Sequence, residues 1–133
     1  MPNISTFLKD KLLDKAVGAI NFTPSATLYI RLFSTVLTAA GAGTELANPS
    51  YAAKAIDNNL TVFPLSAGGL KSNAVRFDFA VAAENWSVIR AVGLFDAATG
   101  GNLYFYDNLT TPLTISSGEN LFFDVGDFDF ELS

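Results

Sequence analysis

The chain has 133 residues, a net charge of −5 and neither cysteine nor histidine. This length indicates one domain, and the composition excludes disulfides, zinc sites with thiolate or imidazole ligands, and cysteine or histidine catalysis. Its acidity excludes nucleic acid as a partner. No phosphate loop, Rossmann glycine pattern or nucleophile elbow is present, and we predict neither a cofactor nor a metal. No secretory signal or long apolar run is visible, and we therefore predict no membrane contact.

Hydrophobic residues make up 50% of the chain and charged residues only 16%, whereas an average domain carries about 25% charged residues. A chain this apolar is expected to bury part of its surface against other protein chains.

The first segment is predicted to form the single α-helix. Its apolar residues recur at i, i+3 and i+4 spacing: Ile4, Phe7, Leu8, Leu12 and Ala16, with Leu13 and Val17 widening the stripe. Asn3 or Ser5 can cap the start of the helix, and Gly18 can end it. Two arrangements are open: the helix packs across its own sheet, or residues 1–20 form an arm on a neighbouring subunit.

Residues 24–133 are predicted to form a β-domain. Apolar runs and turn residues indicate strands at 26–33, 51–56, 60–63, 75–81, 88–95, 102–106, 113–115 and 121–132. The segment 51–56 is expected at a sheet edge, and the long linker 34–50 is expected to make contacts. About eight short antiparallel strands with one N-terminal helix predict a β-sandwich or a distorted barrel.

Residues 88–106 are predicted to form a central hairpin with a turn at 96–101, where an aspartate and two glycines permit reversal of the chain. Strand alternation places four of its residues in the core: Val92, Leu94, Leu103 and Phe105. Tyr104 and Tyr106 are expected to face the other way, towards a covering helix or a neighbouring subunit.

In the C-terminal segment 121–132, alternating apolar residues occupy odd-numbered positions before Gly126 and even-numbered positions after it. This change of parity predicts a bulge or tight turn at Gly126. Its acidic residues are Asp124, Asp127, Asp129 and Glu131. They could bind Ca²⁺, but alternation with phenylalanine favours a strand whose acids face solvent. The turn after Asp96 could likewise wrap a cation, although a plain hairpin turn is favoured. Trp86 and the tyrosines could stack on sugars, but core packing explains the aromatic residues better.

The predicted interaction surface combines the apolar face of the helix with aromatic residues on the second face of the strands. Its members are Phe7, Leu8, Leu12, Tyr29, Phe33, Tyr104 and Tyr106.

Several segments in order along the chain resemble a family of small bacteriophage virion proteins, described as tail-fibre-like or minor structural proteins. They are FLKDKLLDKAVG, TPSATLYIRLFS, GAGTEL, YAAKAI, SNAVRFDFAVAAENW and GLFDAATGGNLYFYDNLTTPLTISSGENLFFDVGDFDFEL. The resemblance implies a β-rich, non-enzymatic component of the virion, assembled in the cytoplasm of the bacterial host. It supplies no catalytic residues.

From these features we predict a capsid decoration (cement) protein that binds the major capsid protein or other virion proteins as a homo-oligomer, with a trimer favoured. The alternative is a component of the tail or of the base of a tail fibre. Two further alternatives are a carbohydrate-binding module and, last, a Ca²⁺-dependent enzyme.

Overall fold

Nine strands and one α-helix make up the computed structural model, which describes residues 2–132. In chain order they are β1 (Asn3–Ile4), α1 (Thr6–Ala16), β2 (Thr27–Phe33), β3 (Lys54–Asp57), β4 (Leu70–Ser72), β5 (Phe77–Asp78), β6 (Ile89–Phe95), β7 (Leu103–Leu113), β8 (Phe122–Phe123) and β9 (Asp129–Glu131). Every pair of neighbouring strands among these residues is antiparallel. The predicted mainly β fold with an N-terminal helix is confirmed.

Five strands form the main sheet, in the order β1-β7-β6-β2-β3. Two ribbons, β4–β9 and β5–β8, pack with α1 against one face of this sheet and enclose the main core. Side chains of β2 alternate between the two faces of the sheet. Leu28, Ile30 and Leu32 enter the main core, and Phe33 lies on the opposite face. The result is a sandwich-like arrangement in which β3 forms one sheet edge, as predicted.

The opposite face of the sheet carries a second, smaller apolar cluster. Phe33, Ala91, Phe95 and Leu103 pack there with Leu37, which comes from the long linker between β2 and β3. The linker therefore covers part of this face within the same chain. Aromatic residues on both faces of the strands are for this reason not in themselves evidence of a neighbouring subunit.

A bulge in the β6–β7 hairpin changes the predicted alternation. Leu103 and Phe105 pair with consecutive residues of β6, so Tyr104 is the extra residue of the bulge. Tyr104 and Phe105 consequently both contact the main core, whereas Leu103 and Tyr106 contact the second cluster. Leu103 is buried in the core, as predicted. The expectations that it shares a face with Phe105, and that Tyr104 shares a face with Tyr106, were wrong because of this inserted residue.

Three other predicted strand boundaries need correction. β7 continues to Leu113, through the residues predicted as a connection. Residues 60–63 form a turn, because the Asn59 side chain accepts hydrogen bonds from the N–H groups of Thr61 and Val62, both at 3.0 Å. Within 75–81 only β5 is a regular strand, since that segment pairs with the C-terminal segment at few positions.

The helix begins where the sequence indicated. Ser5 is its N-cap and accepts a 3.1 Å hydrogen bond from the N–H of Leu8, while Gly18 has a positive φ just after the C-cap. Ile4 belongs to β1 rather than to the helix. Leu13 and Val17 are 63% and 79% exposed, so the buried stripe is narrower than predicted. Within residues 2–132, no helix has the length and apolar character needed to cross a membrane.

The predicted change of parity at Gly126 is confirmed. Gly126 has φ +84° in a tight turn between β8 and β9, so the residues on either side can reach the core with different parity. Phe123 in β8 and Phe128, directly before β9, lie on either side of this turn with their ring centroids 4.8 Å apart. The acidic residues Asp127, Asp129 and Glu131 are exposed, as expected.

Candidate interaction surface

The structure distributes the seven predicted contact residues over the two faces of the main sheet. Those between the helix and the sheet are Phe7, Leu8, Leu12 and Tyr104. Those on the opposite face are Tyr29, Phe33 and Tyr106. Leu8, Phe33 and Tyr104 are buried inside the domain, so the half-buried remainder is the part that another chain can reach.

The N-terminal segment is fixed to its own sheet by polar contacts as well as by apolar packing. β1 pairs with β7, and the buried Ser5 donates its hydroxyl hydrogen to the carbonyl of Leu103. The N–H of Ser5 also donates to the carbonyl of Tyr104 at 2.9 Å. Of the two arrangements left open by the sequence, the structure shows the helix packed across its own sheet.

Tyr104 connects the helix to the chain that follows it. Its ring stacks on Phe7 at 6.0 Å between centroids and contacts Phe22 at 6.3 Å. Its hydroxyl accepts a 3.2 Å hydrogen bond from the N–H of Ser25. Burial, with a smaller contribution from the Asp96 carboxylate, raises the pKa of Tyr104 above its ordinary value. Tyr104 therefore holds residues 22–25 in place beneath the helix.

A polar cluster joins β2 to the linker that covers the opposite face. The Arg31 guanidinium lies 4.0 Å from the ring centroid of Phe95 and 2.9 Å from a carboxylate oxygen of Glu45. The Tyr51 hydroxyl donates to the other Glu45 oxygen at 2.6 Å and accepts from the N–H of Leu32 at 3.0 Å. Because these polar groups are hydrogen-bonded to one another inside the domain, the cluster holds the linker against β2.

Stability is expected to fall at alkaline pH because of Tyr51. Burial and the hydrogen bond to Glu45 raise the pKa of the Tyr51 hydroxyl in the folded chain, whereas in the unfolded chain the hydroxyl ionises at about pH 10. The stabilisation from the protonated hydroxyl is complete below pH ~10 and is lost as pH rises through the folded pKa. Urea unfolding followed by circular dichroism between pH 8 and 11 measures the beginning of this loss.

The matched variant for this measurement is Tyr51→Phe. It removes the ionisable hydroxyl and should unfold at lower urea at pH 8, but its stability should decline less between pH 8 and 11. Tyr104, whose pKa is also raised, accounts for part of the remaining decline. An equally steep decline in both proteins would contradict the role assigned to Tyr51.

An apolar cleft of about 470 Å³ opens between α1, the main sheet and the β4–β9 ribbon. Its apolar walls include Leu8, Leu12, Leu28, Leu94, Phe105 and Phe130. The apolar surface continues from the rim of the cleft onto exposed leucines. Leu132 lines the cleft and is 61% exposed, and the nearby Leu65 and Leu70 are 78% and 50% exposed. The sequence pattern did not reveal the cleft, because its walls come from segments far apart in the chain.

Three charged residues line the cleft together with these apolar walls: Lys15 from the helix, and Lys71 and Glu131 from the ribbon. Two cations and one anion give the cleft a net positive charge, in contrast to the chain as a whole, with its 13 acidic and 8 basic residues. The cleft therefore suits an apolar group that carries negative charge.

The other candidate sites considered from the sequence take structural roles. Trp86 is 3% exposed and donates its indole N–H to the Ser50 hydroxyl at 2.9 Å, so its ring cannot stack on a sugar. The Asp96 carboxylate accepts hydrogen bonds from the backbone and side chain of Asn102 and closes the hairpin turn. Within residues 2–132, no three acidic side chains converge as a metal site would require.

A sandwich-like β fold with an apolar cleft and exposed leucines is typical of a protein that contacts other protein chains. The family model of Podophage GP4 fiber I protein gp80 matches residues 3–131. Because this match covers nearly the whole chain, the protein belongs to that family and is a structural protein of the phage virion. This confirms the resemblance seen in the sequence. No curated protein matches the chain.

Proposed function

We propose that the protein is a subunit of the fibre assembly of a phage virion, where it binds other virion proteins and further copies of itself. The observation that carries this proposal is the family match over residues 3–131, whose description names a fibre protein. The capsid decoration role predicted from the sequence has no comparable support, so we favour the alternative of a tail or fibre component over it.

Exposed apolar side chains support a role in assembly. Near the end of α1 and around the cleft, they include Leu13, Val17, Ile20, Leu65, Leu70 and Leu132, each at least half exposed. Surfaces of this kind are typical of contacts with other chains. We therefore base the proposed self-association on these exposed side chains. The aromatic residues on the second face of the sheet support it less, because the linker partly covers that face. A trimer remains the oligomer that we favour.

Gold-labelled antibodies against the protein, applied to purified virions and viewed by electron microscopy, test where it is located. We expect gold at the tail or its fibres, with an antibody against the major capsid protein as the control for labelling of the head. Labelling spread evenly over the head would instead support the capsid decoration role. Absence of the protein from washed virions would contradict both.

A further inference from the structure

We propose that the acidic turn of one copy, residues 124–127 between β8 and β9, inserts Val125 into the apolar cleft of a second copy. This inference rests on the proposed self-association and names the two surfaces that would carry it. The contact joins two different surfaces, so that each copy offers its acidic turn to one neighbour and its cleft to another.

Val125 is an exposed apolar side chain on a turn that is already ordered. Its side chain is 59% exposed at the tip of the acidic turn, although Phe123 and Phe128, the nearest apolar residues on either side, contact the core. The turn is held by hydrogen bonds from the N–H of Asp124 to the Asp127 carboxylate, at 2.7 Å, and from the N–H of Val125 to the Asp124 carboxylate, at 2.9 Å. A rigid turn loses little conformational entropy on binding.

The anchor of the turn lies beneath it. The N–H of Gly126 donates to the backbone and side-chain oxygens of Asn73, which is 1% exposed. Asn73 directly follows β4, so these bonds connect the acidic turn to the end of β4 and fix the turn relative to the core. This explains how an exposed valine can be presented in one defined position.

The charges of the two surfaces are complementary. Asp124 and Asp127 flank Val125, and each uses one carboxylate oxygen within the turn, which leaves the other to face a cation. Lys15 and Lys71 line the cleft and outnumber its single acidic residue, Glu131. An apolar side chain flanked by two carboxylates is the kind of group that an apolar cleft with a net positive charge recognises.

The two surfaces lie at opposite ends of β9, so one copy can use them to contact two different neighbours. The acidic turn precedes β9, whereas Glu131 and Leu132, at the other end of β9, line the cleft. Val125 does not line the cleft of its own copy. A contact between two such different surfaces forms a ring when the rotation between copies closes and an open filament when it does not. The trimer that we favour corresponds to a rotation of one third of a turn.

The absence of native cysteine allows a direct test by disulfide cross-linking. Val125→Cys replaces the projecting side chain, and Ser66→Cys places a thiol at an exposed position lining the cleft. When the two single variants are mixed under mild oxidation, we expect a disulfide-linked dimer containing one copy of each. A chain that carries both substitutions should form covalent oligomers that end at the trimer.

The matched control is Val36→Cys, whose side chain is 58% exposed but lies in the linker on the opposite side of the sheet. Mixed with Ser66→Cys, it should give no cross-link above background. Cross-linking of Val125→Cys with itself would overturn the proposal, because the contact would then join like surfaces. An oligomeric wild-type protein without the mixed cross-link would also overturn it, but would leave the proposed self-association intact.

A second measurement does not depend on cysteine. Lys71→Glu reverses a charge in the cleft and is expected to raise the dissociation constant of self-association at least tenfold, as measured by light scattering over a dilution series. Lys9→Glu makes the same charge change on an exposed part of α1 away from the cleft and should leave association unchanged. Equal effects of the two variants, or a monomeric wild-type protein, would overturn the proposal.

Discussion

Replacing Leu8 by alanine is expected to lower the free energy of unfolding by about 3 kcal/mol. Leu8 is 5% exposed and belongs to the main core, where the helix packs on the sheet. Removing its side-chain atoms loses their burial and leaves space that the anchored N-terminal segment cannot fill. Urea unfolding followed by circular dichroism measures the change.

Leu13→Ala is the matched control, because it makes the same change on the same helix at a position that is 63% exposed. Its effect should stay within about 0.5 kcal/mol. Both variants should also be measured in the Lys71→Glu background, in which self-association is weakened. If the loss caused by Leu8→Ala disappeared in that background, the helix would act as an arm on a neighbouring subunit.

Asn73→Ala is expected to lower the free energy of unfolding by roughly 3 kcal/mol. The buried Asn73 side chain makes four hydrogen bonds: it donates to the carbonyls of Val75 (2.8 Å) and Asp124 (3.0 Å), and it accepts from the N–H groups of Gly126 (3.1 Å) and Phe128 (2.9 Å). Without it, backbone groups at the edge of the core lose their partners. Thermal and urea unfolding both measure the effect.

Asn120→Ala is the control for this variant. The Asn120 side chain is exposed and its contacts are longer, at 3.4 Å to Asp78 and 3.5 Å to Phe79, so we expect a change within about 0.5 kcal/mol. Asn73→Ala should in addition weaken the cross-link between Val125→Cys and Ser66→Cys, because the acidic turn would lose its anchor. Similar losses of stability in the two variants would contradict the role of Asn73.

Local patterns in the sequence determined the features that depend on neighbouring residues. The serine cap and the helical spacing after it placed α1, and two apolar runs around an Asp and two glycines placed the β6–β7 hairpin. The parity change around Gly126 predicted the tight turn before β9. Each of these features is encoded within a few residues, so periodicity and turn preferences are sufficient to find them.

The tertiary structure decided everything that depends on residues distant in sequence. The bulge at Tyr104 is a property of the pairing with β6, and the interruption of the predicted strand 75–81 reflects pairing with the C-terminal segment. The apolar cleft joins Leu12, Leu28 and Phe130, which no local pattern relates to one another. The sequence by itself thus determined the helix, the central hairpin, the mainly β class and the resemblance to virion proteins. Only the folded chain shows which apolar residues are buried and which remain for a partner, because alternation reports the face of a strand but not what covers it.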